Sequence, residues 1–178
     1  MQIRAGRLKG RRLLYPRAGL RPTKDITRQA IFNIVGTAIR GARVADLYAG
    51  GGSLGVEALS RGATEVVFVE QSAAVARFLR GNVKGLEGVR VVCADVRAAL
   101  RRLGADRFDV VIADPPYRNG LVQETIARLV ATGSIVPGGL LVIEHHPLEP
   151  PECPEDWTVL REGRYGDSRL TVLRRNSG

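Results

Sequence analysis

From Val44 onward, short apolar runs alternate with segments whose apolar residues recur at helical spacing. Val44-Ala45-Asp46-Leu47-Tyr48 predicts a strand, and Ser53 to Ser60 a helix closed by Gly62. Val66-Val67-Phe68-Val69 predicts a second strand ending at Glu70. Ser72 can cap a helix through Ala76, Leu79 and Val83, and Val89 to Cys93 reads as a third strand followed by Asp95. Val96 to Leu103 predicts a short helix, Phe108 to Ala113 a fourth strand, Gln123 to Val130 a helix closed near Gly133, and Leu140 to Ile143 a fifth strand. Strands that are apolar throughout, separated by helices, predict an α/β fold with a mostly parallel, doubly wound sheet and helices on both faces. The end of the chain breaks this rhythm. Thr158 to Arg161 and Arg169 to Leu173 flank Glu162 to Asp167, which predicts an antiparallel C-terminal hairpin.

The first fifth of the chain is patterned differently. Ile3-Arg4-Ala5 and Arg12-Leu13-Leu14-Tyr15 can pair as a short hairpin around Leu8 to Arg11, docked on the main domain because an isolated hairpin is marginal. Arg21-Pro22-Thr23 ends that segment. Thr23 is the expected N-cap of a helix running to about Ile39, with Asp25 in its first turn. Ile26, Ala30 and Ile34, with Phe32 and Val35, form its expected inner face. Lys24 and Arg28 fall one turn apart on the expected exposed flank. The chain thus divides into a basic extension, residues 1–22, and one larger domain, residues 23–178.

Composition narrows the class. With 178 residues, 44% apolar and 25% charged, the chain is long enough for a sizeable core. No apolar run approaches the roughly 20 residues of a membrane span, and the opening Met1-Gln2-Ile3-Arg4 has no signal-peptide core. Cys93 and Cys153 are far apart and lack metal-ligand or disulfide-framework spacing. The expected protein is cytoplasmic, with free thiols, no structural metal and no membrane partner. Its net charge of +9 is one-sided: residues 1–45 hold eleven Lys/Arg against one acid, and the remainder sixteen against seventeen. Such a block reads as a footprint for a polyanion.

Two motifs carry the chemistry. Asp114-Pro115-Pro116-Tyr117 follows the fourth strand, which two prolines without ladder N–H groups cannot continue. Asp114 is therefore expected at the carboxyl end of a strand, where open α/β sheets bind ligands. A carboxylate, a fixed carbonyl and an aromatic face together suit a planar base with an exocyclic amine. The second motif is Ala49-Gly50-Gly51-Gly52-Ser53-Leu54-Gly55, which fits G-x-G-x-x-G between a strand and a helix. Glu70 lies twenty residues after Gly50, placed for ribose hydroxyls. Asp46 would repel a pyrophosphate but suits a ligand carrying a sulfonium and an ammonium, such as S-adenosylmethionine. Asp95 lies where an adenine amine is expected. Four consecutive strands therefore end in acids, which favours a cationic cofactor over a nicotinamide dinucleotide.

These residues resemble a known family. Asp46-Leu47-Tyr48-Ala49-Gly50-Gly51-Gly52 together with Asp114-Pro115-Pro116-Tyr117 is similar to class I, Rossmann-like, amino-group methyltransferases. Gly6-Arg7-Leu8-Lys9-Gly10-Arg11, Arg21-Pro22-Thr23, Arg28-Gln29-Ala30-Ile31-Phe32-Asn33 and Ser53 to Gly62 resemble the RsmD family more narrowly. The resemblance implies a seven-stranded sheet and S-adenosylmethionine-dependent methylation of the N2 amine of a guanine, guanine 966, in 16S rRNA. It implies a monomer acting on a small-subunit particle. The implied cofactor set is Asp46, Ala49, Gly50, Gly52, Leu54, Glu70, Gln71, Asp95 and Val96, and the implied target site is Asp114, Pro115, Pro116 and Tyr117. Gly51 stands where that family usually has serine or threonine, with little consequence expected.

The amine of guanine is a poor nucleophile, so Asp114 and the Pro115 carbonyl are expected to accept its two N–H groups while Tyr117 stacks on the base. Arg4, Arg7, Lys9, Arg11, Arg21, Thr23, Lys24 and Arg28 are the expected RNA contacts. His145, His146 and Trp157 read as structural. The competing readings are methylation of another RNA or of DNA at adenine N6 or cytosine N4, a nicotinamide-dependent dehydrogenase, and a non-catalytic RNA-binding protein.

Overall fold

In a computed structural model of the chain, described over residues 1–15, 25–104, 106–117, 120–166 and 168–178, β1 (Arg43–Leu47) is an interior strand of the sheet, with a parallel neighbour on each side. The elements that follow it are α2 (Ser53–Ser60), β2 (Glu65–Glu70), α3 (Ala73–Val83), β3 (Val89–Cys93), α4 (Val96–Arg102), β4 (Phe108–Ala113) and α5 (Leu121–Thr132). They are completed by β5 (Ile135–His145), β6 (Trp157–Tyr165) and β7 (Ser168–Arg175), and preceded by α1 (Asp25–Val35) with a single 3₁₀ turn at Gly36–Ile39. The seven strands lie in the order β3-β2-β1-β4-β5-β7-β6. β7 is antiparallel to both β5 and β6. The order reverses between β1 and β4, and at such a switch point the carboxyl ends leave a crevice.

The apolar strands fill both faces of the sheet. Val44, Val66, Phe68, Val110, Ile112 and Val142 pack with α1, α2, α3 and the N-terminal arm. Ala45, Leu47, Val67, Val69, Val111 and Leu141 pack with α4 and α5. α2 is buried along its whole length. It lies close to β2 because Gly55 has no side chain: a Cβ there would meet the Phe68 ring at 2.2 Å.

Several boundaries move from expectation. β5 begins at Ile135, five residues before the apolar run that marks it. The expected six-residue loop at the C-terminal hairpin is absorbed into the strands, and Tyr165 pairs directly with Ser168. β6 is almost wholly exposed, an edge strand whose Arg161, Glu162 and Arg164 discourage further pairing. Trp157 is buried in the α4/α5 core, and His145 is buried with its ring against the Thr171 hydroxyl at 2.9 Å.

The N-terminal arm is held more firmly than a marginal hairpin. Its strands meet at one bridge, Gln2 to Arg12, while Ile3 and Leu13 enter the same core as α1 and α2. The buried Glu57 carboxylate of α2 accepts the Arg4 and Ala5 amides at 2.8 and 3.1 Å. Asn82 of α3 grips Leu14 through both its N–H and its carbonyl, each at 2.8 Å. The expected N-cap Thr23, and the junction at residues 22 and 23, lie outside the described residues.

In α1 the buried stripe is Thr27, Arg28, Ile31, Phe32 and Val35 with Ala30, while Ile26 is 59% exposed. Arg28 lies three, four and seven residues before Ile31, Phe32 and Val35, so it shares their face. Its placement on an exposed flank is therefore wrong; it is 1% exposed.

Candidate active site

The register of the sheet gathers the acids. Asp46 is level with Phe68 on one side and Ile112 on the other. Side chains alternate along a strand, so Asp46, Glu70 and Asp114 project from the same face, the one covered by α1, α2 and α3. Asp46 is buried and feels the charges of both Asp114 and Glu70. Desolvation first, and those two neighbours next, push its carboxyl up to about 7, against the opposing pull of a hydrogen bond from the Gly55 amide.

Each acid also satisfies backbone donors. α2 opens at Gly52, which has no side chain to cap it (φ 86°), and Asp46 supplies the missing acceptor from β1, taking the Gly55 N–H at 2.8 Å. Glu70 takes the Gly50 amide at 2.9 Å and the Ser72 amide at 2.7 Å. It thereby ties the glycine loop to the start of α3. A carboxylate has further lone pairs, so these bonds leave Glu70 acceptor capacity. Asp95 caps α4 through the Ala98 amide at 3.0 Å, and that bond holds its carboxyl below the usual range. It stands apart from Asp46, Glu70 and Asp114. With Gln71, Val96, Tyr48 and Thr125 it lines a cleft of about 380 Å³ between α4 and α5.

The glycine loop carries Ala49, whose amide bonds the Val69 carbonyl at 2.8 Å, and Leu54 in the buried first turn of α2. Just before it, Tyr48 adopts a left-handed backbone (φ 63°), uncommon for a residue with a side chain. Its hydroxyl is 2.8 Å from Thr125 of α5. By its pattern Tyr48 reads only as the end of a strand, since nothing in the sequence signals a positive φ there.

Gly51 has a packing partner that the sequence does not reveal. A Cβ at Gly51 would come within 2.4 Å of the Tyr15 ring. The arm therefore occupies the space a serine or threonine would use, and the Gly51 carbonyl is held by Asn82 at 2.9 Å.

At the end of β4, Asp114 is half-buried, Pro115 buried, Pro116 exposed and Tyr117 39% exposed. The Tyr117 hydroxyl donates to Glu144 at 2.9 Å and lies 2.6 Å from the Ser168 hydroxyl. Burial, and the nearby Glu144 charge, push this phenol up to about 12. The His146 ring lies tilted against Tyr117 at 5.8 Å. Ala113 pairs with Ile143, so Asp114 and Glu144 follow at one level of neighbouring strands. Glu144 is a site residue that composition could not flag; its Oε2 is buried without a hydrogen-bond partner among the described residues.

The basic residues are divided. Arg4, Arg7 and Lys9 are exposed, and Arg4 also pairs with Asp25. Arg11 donates to the Asn82 and Lys84 carbonyls at the end of α3. Arg28 donates to the Gln2 carbonyl at 2.9 Å and to Asp25 at 2.6 Å. Buried in this way, it cannot serve as a surface phosphate contact. Arg21, Thr23 and Lys24 lie outside the described residues.

Residues 1–174 match a family model described as "Conserved hypothetical protein 95". The chain is similar to Ribosomal RNA small subunit methyltransferase D of Escherichia coli strain K12, 34% identical over 181 residues, which covers 99% of this chain and 91% of that one. It is also similar to the solved structure of yhhF from Escherichia coli, with 33% identity, a TM-score of 0.89 and coverage of 100% of this chain and 99% of that one. A more distant structure, SMU.776 complexed with SAH, shares the fold at 16% identity and a TM-score of 0.70, over 88% of this chain and 51% of that one.

Proposed function

Because this chain belongs to the Ribosomal RNA small subunit methyltransferase D family, we propose that it methylates the exocyclic N2 amine of a guanine in 16S rRNA, at guanine 966. The donor is S-adenosylmethionine and the enzyme is an rRNA methyltransferase. The residues present fit that donor. A buried carboxylate crowded by two others is relieved by a cationic ligand, and Glu70 ties the glycine loop beside it through the Gly50 amide. Asp46, Glu70 and the loop Gly50 to Leu54 would hold it, with Gln71, Asp95 and Val96 at the cleft. When bound, it supplies an electrophilic methyl group on a sulfonium.

The protein's part is positioning. Asp114 and the Pro115 carbonyl accept the two N–H groups of the amine, turning its lone pair out of conjugation and toward the donor. Tyr117 presents its ring to the extruded base. Its hydroxyl is fixed by Glu144 and Ser168, so the ring is set before the base arrives. The high pKa of the phenol keeps it a neutral donor to Glu144 at working pH.

The observation that carries this reading is the convergence of Asp46, Glu70 and Asp114 on one face at the sheet's mouth, with Tyr117 beside them. The test is mass mapping of methylation after incubation with small ribosomal subunits, naked 16S rRNA and duplex DNA. One methylated guanine in the subunits, and none in DNA, is expected. An adenine or cytosine product would reject the guanine assignment. Asp114→Ala should abolish transfer while S-adenosylmethionine still binds in calorimetry; turnover near the wild-type rate would reject Asp114.

A further inference from the structure

Guanine carries its N1–H beside its 2-amine, so its Watson–Crick edge presents neighbouring donors. Adenine and cytosine instead carry a ring acceptor beside their amine. A site that takes the amine of guanine on Asp114 can therefore identify the base with one more acceptor next to it.

Glu144 stands in that position. Ile112 pairs with Val142 across β4 and β5, and both enter the core on the side of the sheet covered by α1, α2 and α3. Two residues further on, Asp114 and Glu144 project from the same face. They follow at one level of neighbouring strands, which lie about 4.8 Å apart in the pairing direction. Glu144 is 7% exposed. Its Oε1 accepts the Tyr117 hydroxyl at 2.9 Å, which turns the carboxylate toward the ring assigned to the base. Its Oε2 is buried and has no hydrogen-bond partner among the described residues. Buried carboxylate oxygens are normally satisfied, because one left without a donor bears its full desolvation penalty. The contacts of the fold leave this oxygen unaccounted for, beside the place where a base is to sit.

Resting on the guanine reading above, we propose that Glu144 is the specificity-determining residue of the site, its Oε2 accepting the N1–H of guanine while Asp114 takes the neighbouring amine. Oε2 is closed to water; the base reaches it by displacing the half-buried His146 ring, which stands tilted against Tyr117 at 5.8 Å. Adenine at its N1 and cytosine at its N3 would point a lone pair at the carboxylate. The contact that holds guanine thus repels the other two amino bases.

The test uses small ribosomal subunits reconstituted with 16S rRNA carrying either guanine or 2-aminopurine at the target position. 2-Aminopurine keeps the 2-amine and lacks the N1–H, so its N1 is an acceptor. The wild-type enzyme should favour guanine by on the order of a hundredfold in kcat/KM, the range of a charge-assisted hydrogen bond whose donor is removed. Glu144→Gln keeps an oxygen for the Tyr117 hydroxyl and can turn an amide N–H to the N1 acceptor. Its turnover of guanine should fall while that of 2-aminopurine holds or rises, so the preference should shrink by about tenfold or more. Similar kcat/KM for the two bases in the wild type overturns the proposal, and that comparison needs no variant to fold. An equal loss on both bases in a Glu144→Gln protein of unchanged melting temperature also overturns it, leaving Glu144 as a support for Tyr117 only. Absence of transfer to the guanine-bearing subunits, or transfer to an adenine or cytosine, would instead reject the guanine reading itself.

Discussion

Replacing Asp46 by asparagine separates its electrostatic role from its capping role. Asparagine keeps an oxygen for the Gly55 amide, so the start of α2 stays satisfied, and only the charge is lost. In the folded protein the carboxyl titrates near 7, against 3.8 for an ordinary aspartate. The sign follows from linkage. A raised acid pKa means the folded state holds the proton more tightly than the unfolded state does. Its contribution to stability is complete below about pH 4 and is lost as pH rises through 7. The shift of about three units, at 1.36 kcal/mol each, sets a ceiling of about 4 kcal/mol on that loss. Asp46→Asn should therefore match the wild type near pH 4 and exceed it above pH 7. At about 2–4 °C per kcal/mol for a chain of this size, the gain in Tm is at most about 8–16 °C. Melting curves of the ligand-free protein from pH 5 to 8.5 measure it. Cofactor binding should respond oppositely. Between pH 7 and 5.5 the wild-type Kd should rise toward tenfold per unit as Asp46 is protonated, and the variant should bind weakly without that slope. A stability difference independent of pH would refute the argument, because only a titrating, buried Asp46 produces the crossover.

Three further outcomes are expected. Gly51→Ser should destabilise the protein by forcing the Tyr15 ring off the loop, and the cost should shrink in a Tyr15→Ala background; additive effects in that double-mutant cycle would show that the two do not touch. Tyr117→Phe should lower stability by about 1–3 kcal/mol by leaving the Glu144 carboxylate unpaired, while keeping far more transfer activity than Tyr117→Ala; equal loss of turnover in the two would deny the ring its stacking role. Changing exposed Arg7 and Lys9 together to alanine should flatten the salt dependence of RNA binding by about 1.4 in log–log slope, about 0.7 for each single-strand contact. An unchanged slope in filter-binding titrations would exclude them from the interface. These replacements are preferred to deleting the arm, which would also expose Ile3 and Leu13 and leave Glu57 without its amide donors.

Much of this protein is local in its chain. Apolar runs of five or six residues, glycine punctuation and the capping Ser72 and Asp95 are short-range signals, so β3, β4 and α2 end where the sequence says they should. The Asp-Pro-Pro-Tyr turn and the glycine loop are likewise contiguous, since proline and glycine act on the backbone beside them. What needed the tertiary structure was every decision made between distant segments. Arg28 is at once an exposed-looking cation by composition and a buried one by phase, and the choice fell to packing of α1 against the arm. Tyr15 and Gly51 are thirty-six residues apart, so neither predicts that the other must be a ring or be bare. Glu144 became a neighbour of Tyr117 only when β5 aligned with β4. Periodicity along one segment reports which face is apolar; it holds no information about which other segment covers that face.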